Sequence, residues 1–244
     1  MPELIVDARI LRRPPGRELV GAIAGRALAL LYRLTGKSRY DDFRLEHVGG
    51  MPMLVTPSVF NPKVPRTGAF LAAQLDASRV SAATRVLDLG TGAGIGALFA
   101  ARHARRVVAT DINPEAVRCA ALNALLNHLE HRIEVRHGDL FAPVSGERFD
   151  LVLFNPPFLI GTPRDDRDRA WRSLDVAERF AAGLAQHLTA DGRALVLLSS
   201  FGDAGAFIAQ FRAQRLEVRV IAERGFINET LAVFELRSPG RVLA

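Results

Sequence analysis

Residues 86–96 read Val-Leu-Asp-Leu-Gly-Thr-Gly-Ala-Gly-Ile-Gly, an apolar strand pattern that runs directly into a glycine-rich turn. Glycine at positions Gly90, Gly92 and Gly94 allows a tight backbone turn and a close approach to a ligand, where any Cβ would clash. The apolar stretch from Ile95 to His103 predicts a helix immediately after the turn. A strand, a glycine turn and a helix in this order are typical of the ligand-binding edge of an α/β sheet.

The rest of the downstream chain continues this alternation of short apolar strands with helices. It predicts an α/β fold of the Rossmann-like, doubly wound type, with a mainly parallel sheet covered on both faces. Because no helix separates Glu217–Glu223 from Thr230–Leu236, we expect the last strand to be antiparallel. The other predicted strands are Arg85–Leu89, Val107–Thr110, Ile133–Arg136, Asp150–Phe154 and Ala194–Ser199, and the other predicted helices are Ala69–Leu75, Pro114–Asn127, Trp171–His187 and Ala204–Gln214.

The first part of the chain does not follow the alternation. Glu18–Leu34 predicts a helix with one apolar stripe, and the stretch from Phe43 to Val55 predicts a hairpin that turns at Gly49-Gly50. We therefore predict an N-terminal helix and hairpin extension over residues 1–55, a candidate lid over the active site, and one α/β domain over residues 56–244.

The composition restricts the compartment and the partners. The single cysteine, Cys119, leaves no intrachain disulfide and no Cys-x-x-Cys metal site, and this suits a cytoplasmic protein. The six histidines show no metal-ligand spacing, so no metal is expected. The net charge of +6 either favours a polyanionic partner such as RNA or reflects an arginine-rich composition alone.

No targeting or membrane segment is expected. The N-terminus lacks the apolar core and cleavage site of a secretory signal. Leu19–Leu34 is the most apolar stretch of the first third, but it is short for a membrane span and contains Arg26 and Arg33. A buried or interfacial helix is therefore favoured over a transmembrane one.

Three aspartates occur at three successive predicted strand ends. Asp88 lies inside the end of the first strand, and Asp111 ends the next one, 21 residues after Gly90. A carboxylate at the position of Asp111 can accept hydrogen bonds from both ribose hydroxyls of an adenosine. Asp139 ends the third strand, where it can accept from an adenine amino group. The alternative for these aspartates is helix capping.

Dinucleotide-binding dehydrogenases also use a glycine-rich turn, so NAD(P) binding is the rival hypothesis. It predicts a downstream hydride-transfer site, such as a Tyr/Lys pair or a zinc site. Tyr32 and Tyr40 are the only tyrosines, both in the extension, and Lys63 is the one lysine downstream of them near the core. The dehydrogenase hypothesis therefore lacks its chemistry.

The fourth strand, Asp150–Phe154, leads into Asn155-Pro156-Pro157-Phe158. The two prolines fix φ and remove two backbone donors, which leaves the carbonyls of Asn155 and Pro156 free of competing N–H groups. An –NH₂ group can then donate one hydrogen to the Asn155 side-chain oxygen and the other to the Pro156 carbonyl. Phe158 would stack on the planar group that carries this nitrogen. The alternative is a proline-rich turn followed by a core aromatic residue.

Three motifs together resemble a known family. They read Asp-Leu-Gly-Thr-Gly-Ala-Gly at 88–94, Thr-Asp-Ile-Asn-Pro-Glu-Ala at 110–116 and Phe-Asn-Pro-Pro-Phe at 154–158. They are similar to those of class I SAM (S-adenosylmethionine) dependent methyltransferases, and specifically to the release-factor glutamine methyltransferases of the HemK type, in the short branch found in archaea and eukaryotes. Residues 59–62 followed by Thr67, Ala170-Trp171 before 178–180, and 228–231 also follow that branch.

The resemblance implies SAM as the methyl donor and Asn155 as the residue that binds the acceptor amide. Together with the motifs, it gives a methyltransferase domain over residues 56–244 and three overlapping sets of site residues. The cofactor set is Thr67, Asp88, Gly90, Thr91, Gly92, Gly94, Asp111, Ile112, Asp139, Leu140 and Asn155. The catalytic set is Asn155, Pro156 and Phe158, and the substrate-binding set is Asn155, Pro156, Pro157, Phe158 and Trp171.

The sequence departs from the family around the acceptor pocket. The family usually has tyrosine at the position of Phe158, acidic residues between Pro62 and Thr67, and a glycine-rich stretch after Trp171, all of which this chain replaces. The loop Gly161–Arg172 either selects the acceptor or is a solvated surface. We therefore expect N-methylation of a planar amide or amino group, preferably a protein glutamine side chain, and keep two alternatives: a base in RNA or DNA, and a small natural-product or lipid-like molecule.

Overall fold

The structure is a computed structural model that describes residues 43–57, 59, 66–164, 168–226 and 229–238. Its central element is a seven-stranded sheet. Its inner strands are nearly continuous apolar runs because helices cover both faces, and Leu87 and Leu151 are fully buried. The strands are β1 (Arg44–Val48), β2 (Met51–Val55), β3 (Arg85–Leu89), β4 (Arg106–Asp111), β5 (Ile133–His137), β6 (Phe149–Phe154), β7 (Leu159–Ile160), β8 (Arg172–Ser173), β9 (Leu188–Ser199), β10 (Glu217–Gly225) and β11 (Thr230–Arg237). The helices are α1 (Thr67–Ala72), α2 (Ile95–Ala101), α3 (Pro114–Leu126), α4 (Val176–His187) and α5 (Ala204–Ala213).

The strand order is β10-β11-β9-β6-β3-β4-β5. Five adjacent strands run parallel to one another: β9, β6, β3, β4 and β5. Strand β11 is antiparallel to both β9 and β10. The predicted Rossmann-like sheet with an antiparallel last strand is therefore confirmed. Along the chain, β4 and β5 are added on one side of β3, and β6 is then added on its other side. The carboxyl ends of β3 and β6 therefore flank a topological switch point, where ligands bind in such folds.

Two apolar layers pack on the sheet. Helices α1, α2 and α3 cover one face, and α4 and α5 cover the other. The second layer is rich in phenylalanine: the Phe180 ring, fully buried in α4, stacks on Phe154 at 4.5 Å between centroids and on Phe141 at 5.8 Å. This layer fixes the end of β6, from which the Asn-Pro-Pro-Phe segment leaves.

The predicted hairpin is present as the antiparallel pair β1 and β2, with positive φ at Gly49 and Gly50. It packs against α3, where Met53 is fully buried. The helix predicted over Glu18–Leu34 lies outside the described residues, as do residues 60–65, 165–167 and 227–228. The division of the chain at residue 55 therefore stays a prediction.

The helix predicted over Trp171–His187 was wrong at its start. The helix begins at Val176, and Arg172–Ser173 is instead a short strand that pairs in parallel with β7. The physical reason is that the carbonyls of Trp171 and Ser173 accept hydrogen bonds from the backbone N–H groups of Leu159 and Gly161, at 2.8 and 3.2 Å. These carbonyls are therefore not available for a helical turn.

In the described part of the chain, no helix has both the length and the apolar character that crossing a membrane requires.

Substitution of Gly96 tests how tightly the turn after β3 is packed, with Gly205 as the control. A Cβ on Gly96, the second residue of α2, would lie 2.5 Å from an Asp88 carboxylate oxygen, whereas a Cβ on Gly205, the second residue of α5, would meet nothing closer than 3.4 Å. Gly96→Ala should therefore lower the free energy of unfolding by about 1–3 kcal/mol through overpacking. Gly205→Ala, the matched control, should leave it unchanged or slightly raised. Urea unfolding of both variants measures this, and equal effects would contradict the tight packing.

Candidate active site

The carboxyl ends of β3, β4 and β6 border a cavity of about 350 Å³. Its walls come from the glycine turn after β3, the ends of β4 and β5, the Asn-Pro-Pro-Phe segment after β6, and the start of α4. Most of the predicted site residues line it: Gly90, Thr91, Gly92, Asp111, Ile112, Asp139, Leu140, Asn155, Pro156, Pro157, Phe158 and Trp171. Three predicted residues are not among those that line the cavity: Thr67, Asp88 and Gly94.

The glycine turn needs its glycines for two different reasons. The φ angles of Gly90, Gly92 and Gly94 are +66°, +56° and +89°, a region that side chains disfavour. At Gly92 a Cβ would meet no atom within 4 Å, so this position is open toward the cavity. At Gly94 a Cβ would lie 3.2 Å from Ala120 of α3, so this glycine allows close packing against the helix.

Asp88 supports the turn from inside the protein. Its buried carboxylate accepts hydrogen bonds from the Thr91 hydroxyl, at 2.5 Å, and from the Ala97 backbone N–H, at 2.8 Å. Burial raises the pKa of Asp88 from 3.8 to about 6, against the lowering effect of both donors. We predicted that Asp88 belongs to the cofactor-binding set. The structure does not place it among the residues that line the cavity, and its oxygens bond the turn and the start of α2.

Asp111 presents its carboxylate at the cavity wall. One oxygen accepts from the Gly92 N–H at 2.8 Å and the other from the Asn113 N–H at 2.9 Å. Because a carboxylate oxygen has two lone pairs, each still has the capacity to accept a hydrogen bond from a ligand hydroxyl. Burial raises the pKa of Asp111, and the two backbone donors oppose that shift.

Asp139 lines the cavity and forms an ion pair that the sequence did not reveal. Its carboxylate contacts the Arg179 guanidinium of α4 at 2.6 Å, and Arg179 also lies 3.7 Å from Asp175. Both groups are about half exposed, so the pair adds little to stability. The pair orients the Asp139 side chain at the cavity edge. No local pattern links two residues that are 40 positions apart.

The Asn-Pro-Pro-Phe segment is held on both sides. The Asn155 amide donates to the Thr67 hydroxyl at 3.3 Å, and Thr67 is buried at the start of α1. The Asn155 side-chain oxygen is a buried acceptor that has no hydrogen-bond partner among the described residues. The Phe158 carbonyl accepts from the Asp203 N–H at 3.1 Å, and the Phe158 ring is buried at the cavity wall. A side-chain acceptor beside the cavity is therefore left for a ligand donor.

Described residues of the loop after this segment also contribute to the cavity wall. Trp171 and Pro163 line it, and Arg172 lies 3.2 Å from Asp168 in an ion pair. The predicted site sets left out several lining residues: Val59, Gly68, Thr110, Asn113, Ala116, Leu174 and Arg179. Five of them lie in the family-like segments 59–62, 110–116 and 178–180, which were the signal that could have found them. Within the described ranges, no group of three or more His, Cys, Asp or Glu side chains is arranged to bind a metal.

The sequence is similar to a known family and to individual proteins within it. The family model described as "Methyltransferase small domain" matches residues 51–225. The ribosomal protein uL3 glutamine methyltransferase of Bradyrhizobium diazoefficiens is 37% identical over 126 residues, 46% of this chain and 40% of that protein. The release factor glutamine methyltransferase of Koribacter versatilis is 33% identical over 159 residues, 59% of this chain and 56% of that protein.

A relative with a different named substrate is about as similar. The tRNA1(Val) (adenine(37)-N6)-methyltransferase of a Flavobacteriaceae bacterium is 33% identical over 140 residues, 56% of this chain and 59% of that protein. The chain thus spans about 40–59% of the length of these curated relatives. Among solved structures, the T. thermophilus 16S rRNA N2 G1207 methyltransferase in complex with AdoMet and guanosine has a TM-score of 0.61 at 23% identity, covering 81% of this chain and 50% of that one. This structural likeness concerns the fold.

The buried Asp88 carboxylate predicts a pH effect on stability. Its folded pKa of about 6 lies above the ordinary value of 3.8, so the folded state binds more protons than the unfolded state between these pH values. The wild type should therefore lose about 2–3 kcal/mol of unfolding free energy relative to Asp88→Asn as the pH rises from about 4 to 7. Urea unfolding of both proteins across this range measures the difference, and a constant difference would contradict the raised pKa.

Proposed function

Because this chain belongs to the methyltransferase small domain family of SAM-dependent methyltransferases, we propose that it methylates a planar amide or amino nitrogen, by preference the side-chain amide of a protein glutamine. The observation that carries this proposal is the Asn155 side-chain oxygen, a buried acceptor without a partner among the described residues. A buried acceptor without a donor is costly, so a bound N–H group would be favoured here. The Pro156 carbonyl is the natural acceptor for the second hydrogen of an –NH₂ group.

The residues around the glycine turn fit the cofactor. The open position at Gly92 admits a ligand close to the backbone, and the spare lone pairs of Asp111 suit two ribose hydroxyls. Asp139, oriented by Arg179, suits the adenine amino group. When bound, SAM supplies an electrophilic methyl group on a positively charged sulfur.

The protein's part in the reaction is to position the acceptor nitrogen. Two hydrogen bonds from the –NH₂ group, to Asn155 and to the Pro156 carbonyl, fix its orientation, and Phe158 packs against the plane of the group. SAM held there would give its methyl group to the nitrogen lone pair, with S-adenosylhomocysteine (SAH) as the leaving product and one N–H proton lost to water. Little proton-transfer catalysis is needed, so positioning is the main contribution.

The surface around the cavity mouth supports a protein acceptor. Two of the cations that line the cavity are ion-paired, Arg172 with Asp168 and Arg179 with Asp139. Three large apolar side chains next to the Asn-Pro-Pro-Phe segment are about half exposed or more, and exposed apolar groups are typical of protein-binding surfaces. They are Ile160 at 52%, Leu174 at 64% and Phe201 at 49%. Two relatives are named for glutamine methylation, which agrees with this preference.

A second candidate is methylation of a base in RNA. Arg66 and Arg224 both lie over the Phe226 ring, at 5.5 and 5.4 Å from its centroid, and neither forms an ion pair within the part of the chain that the structure describes. Arg66 immediately precedes Thr67, which contacts Asn155. Two uncompensated guanidinium groups near the acceptor entrance suit phosphates, and one relative is named for tRNA adenine methylation.

The cofactor assignment predicts the effect of changing Asp111. Asp111→Ala should weaken SAH binding by about 1.5–3 kcal/mol, because it removes two charged acceptors from the ribose hydroxyls. Asp111→Asn keeps one acceptor oxygen and should lose less. Isothermal titration calorimetry with SAH measures both. Unchanged affinity in Asp111→Ala would remove Asp111 from the site, and NAD binding without SAH binding would contradict the proposed function.

The acceptor assignment predicts the effect of changing Asn155. Asn155→Ala should leave the SAH affinity within a few-fold and lower kcat by about a hundredfold or more, because the lost contact orients the nitrogen in the transition state. Asn155→Asp keeps an acceptor oxygen and should retain more activity. Transfer of tritiated methyl groups from SAM into lysate fractions is the measurement. Normal turnover in Asn155→Ala would contradict the assigned role.

The two acceptor classes differ in salt dependence. A protein acceptor on the apolar mouth should show a shallow dependence of KM on salt, unchanged in the Arg66→Ala, Arg224→Ala double variant. An RNA acceptor should lose about 0.7–0.9 log units of affinity per phosphate contact for each tenfold rise in salt, and the double variant should flatten that slope. We expect the shallow slope. A steep slope that the double variant flattens would favour RNA.

A further inference from the structure

Asn123 of α3 joins the glycine turn to the N-terminal hairpin. Its side chain is fully buried. Its oxygen accepts from the Leu54 N–H at 2.6 Å, and its amide donates to the Leu54 carbonyl at 2.7 Å and to the Ala93 carbonyl at 2.9 Å. One amide thus bonds both backbone groups of a hairpin residue and one carbonyl of the turn, which lines the cavity.

The face of α3 that carries Asn123 also packs against the glycine turn through smaller residues. Ala116 lines the cavity, Ala120 packs against Gly94, and Asn123 bonds Ala93. These three residues are spaced four and three apart, so they lie on one face of the helix. Two small residues allow the helix to approach the turn closely, and the third fixes a carbonyl that no residue of the turn itself bonds.

We propose that Asn123 is a positioning residue for the cofactor site, which fixes the turn through the Ala93 carbonyl and couples it to the hairpin at Leu54. This inference rests on the proposed function only in taking SAM and SAH as the ligands of the cavity. The turn has three glycines with positive φ, so its backbone is intrinsically flexible and gains most from an external hydrogen bond. An ordered turn binds its ligand without a further loss of conformational entropy.

Asn127, one helical turn later, provides the matched control. Its amide donates to the Pro52 carbonyl at 2.9 Å and to the Asn123 carbonyl at 2.9 Å. It therefore attaches the same hairpin to the same helix, but neither of these bonds reaches the glycine turn. Asn127→Ala should weaken the hairpin attachment and leave the turn in place, whereas Asn123→Ala should loosen both.

The two variants are compared in the full-length protein by urea unfolding, by calorimetry with SAH and by steady-state kinetics. Both should lower stability. Only Asn123→Ala should weaken SAH binding, by about tenfold or more, and raise the KM for SAM while kcat stays within a few-fold, because Asn155 is untouched. Asn127→Ala should keep the SAH affinity within about twofold. Equal SAH affinities in the two variants would overturn the inference, whereas a wild type that does not bind SAH would overturn the proposed function.

Hydrogen exchange in the wild type tests the coupling between the glycine turn and the hairpin without any substitution. It therefore tests the proposal even if Asn123→Ala does not fold. SAH should slow exchange of the Leu54 amide, because releasing Leu54 requires the movement of Asn123 and hence of the bound turn. The Val48 amide of β1, which pairs with Met51 at the turn end of the same hairpin, provides the reference. Slower exchange at Leu54 relative to Val48 supports the inference, and an equal change at both overturns it.

Discussion

The buried carboxylate of Asp88 is the constraint on which the cavity depends. It accepts hydrogen bonds from the Thr91 hydroxyl and the Ala97 N–H, so it joins the glycine turn to the first turn of α2 beneath the cavity. Burial of this charge is unfavourable, as its raised pKa of about 6 shows, and the two donors offset part of that cost. No room remains for a Cβ at position 96, so the glycine there follows from the position of this one side chain.

The turn that Asp88 supports from below is also fixed from two other directions. Asp111, at the end of β4, accepts from the Gly92 N–H, and Asn123 of α3 donates to the Ala93 carbonyl. The acceptor side of the cavity depends on a separate set of contacts, because Asn155 leaves β6 and is held by Thr67 of α1. The residues that we propose for the cofactor and for the acceptor therefore come from different strands and meet at the switch point of the sheet.

Local patterns in the sequence predicted the sheet, the antiparallel last strand and the glycine turn beside the cavity, because apolar periodicity and glycine spacing are set by neighbouring residues. They failed where a partner far along the chain decides the structure. Trp171 looked helical, but its carbonyl pairs with Leu159; Asp139 looked like a free acceptor, but it contacts Arg179. The position of β11 between β9 and β10 likewise depends on pairing that no local pattern encodes.

The central claim is that the chain transfers a methyl group to a planar nitrogen held by Asn155. Identification of the methylated atom tests it most directly: the labelled product formed from SAM and a cell lysate is purified, hydrolysed and analysed by mass spectrometry. We predict that the label resides on a nitrogen bonded to an sp² carbon, with a glutamine side-chain amide as the preferred product. Label on oxygen, carbon or sulfur would contradict the claim, because neither the Asn155 oxygen nor the Pro156 carbonyl would then have an N–H group to bind.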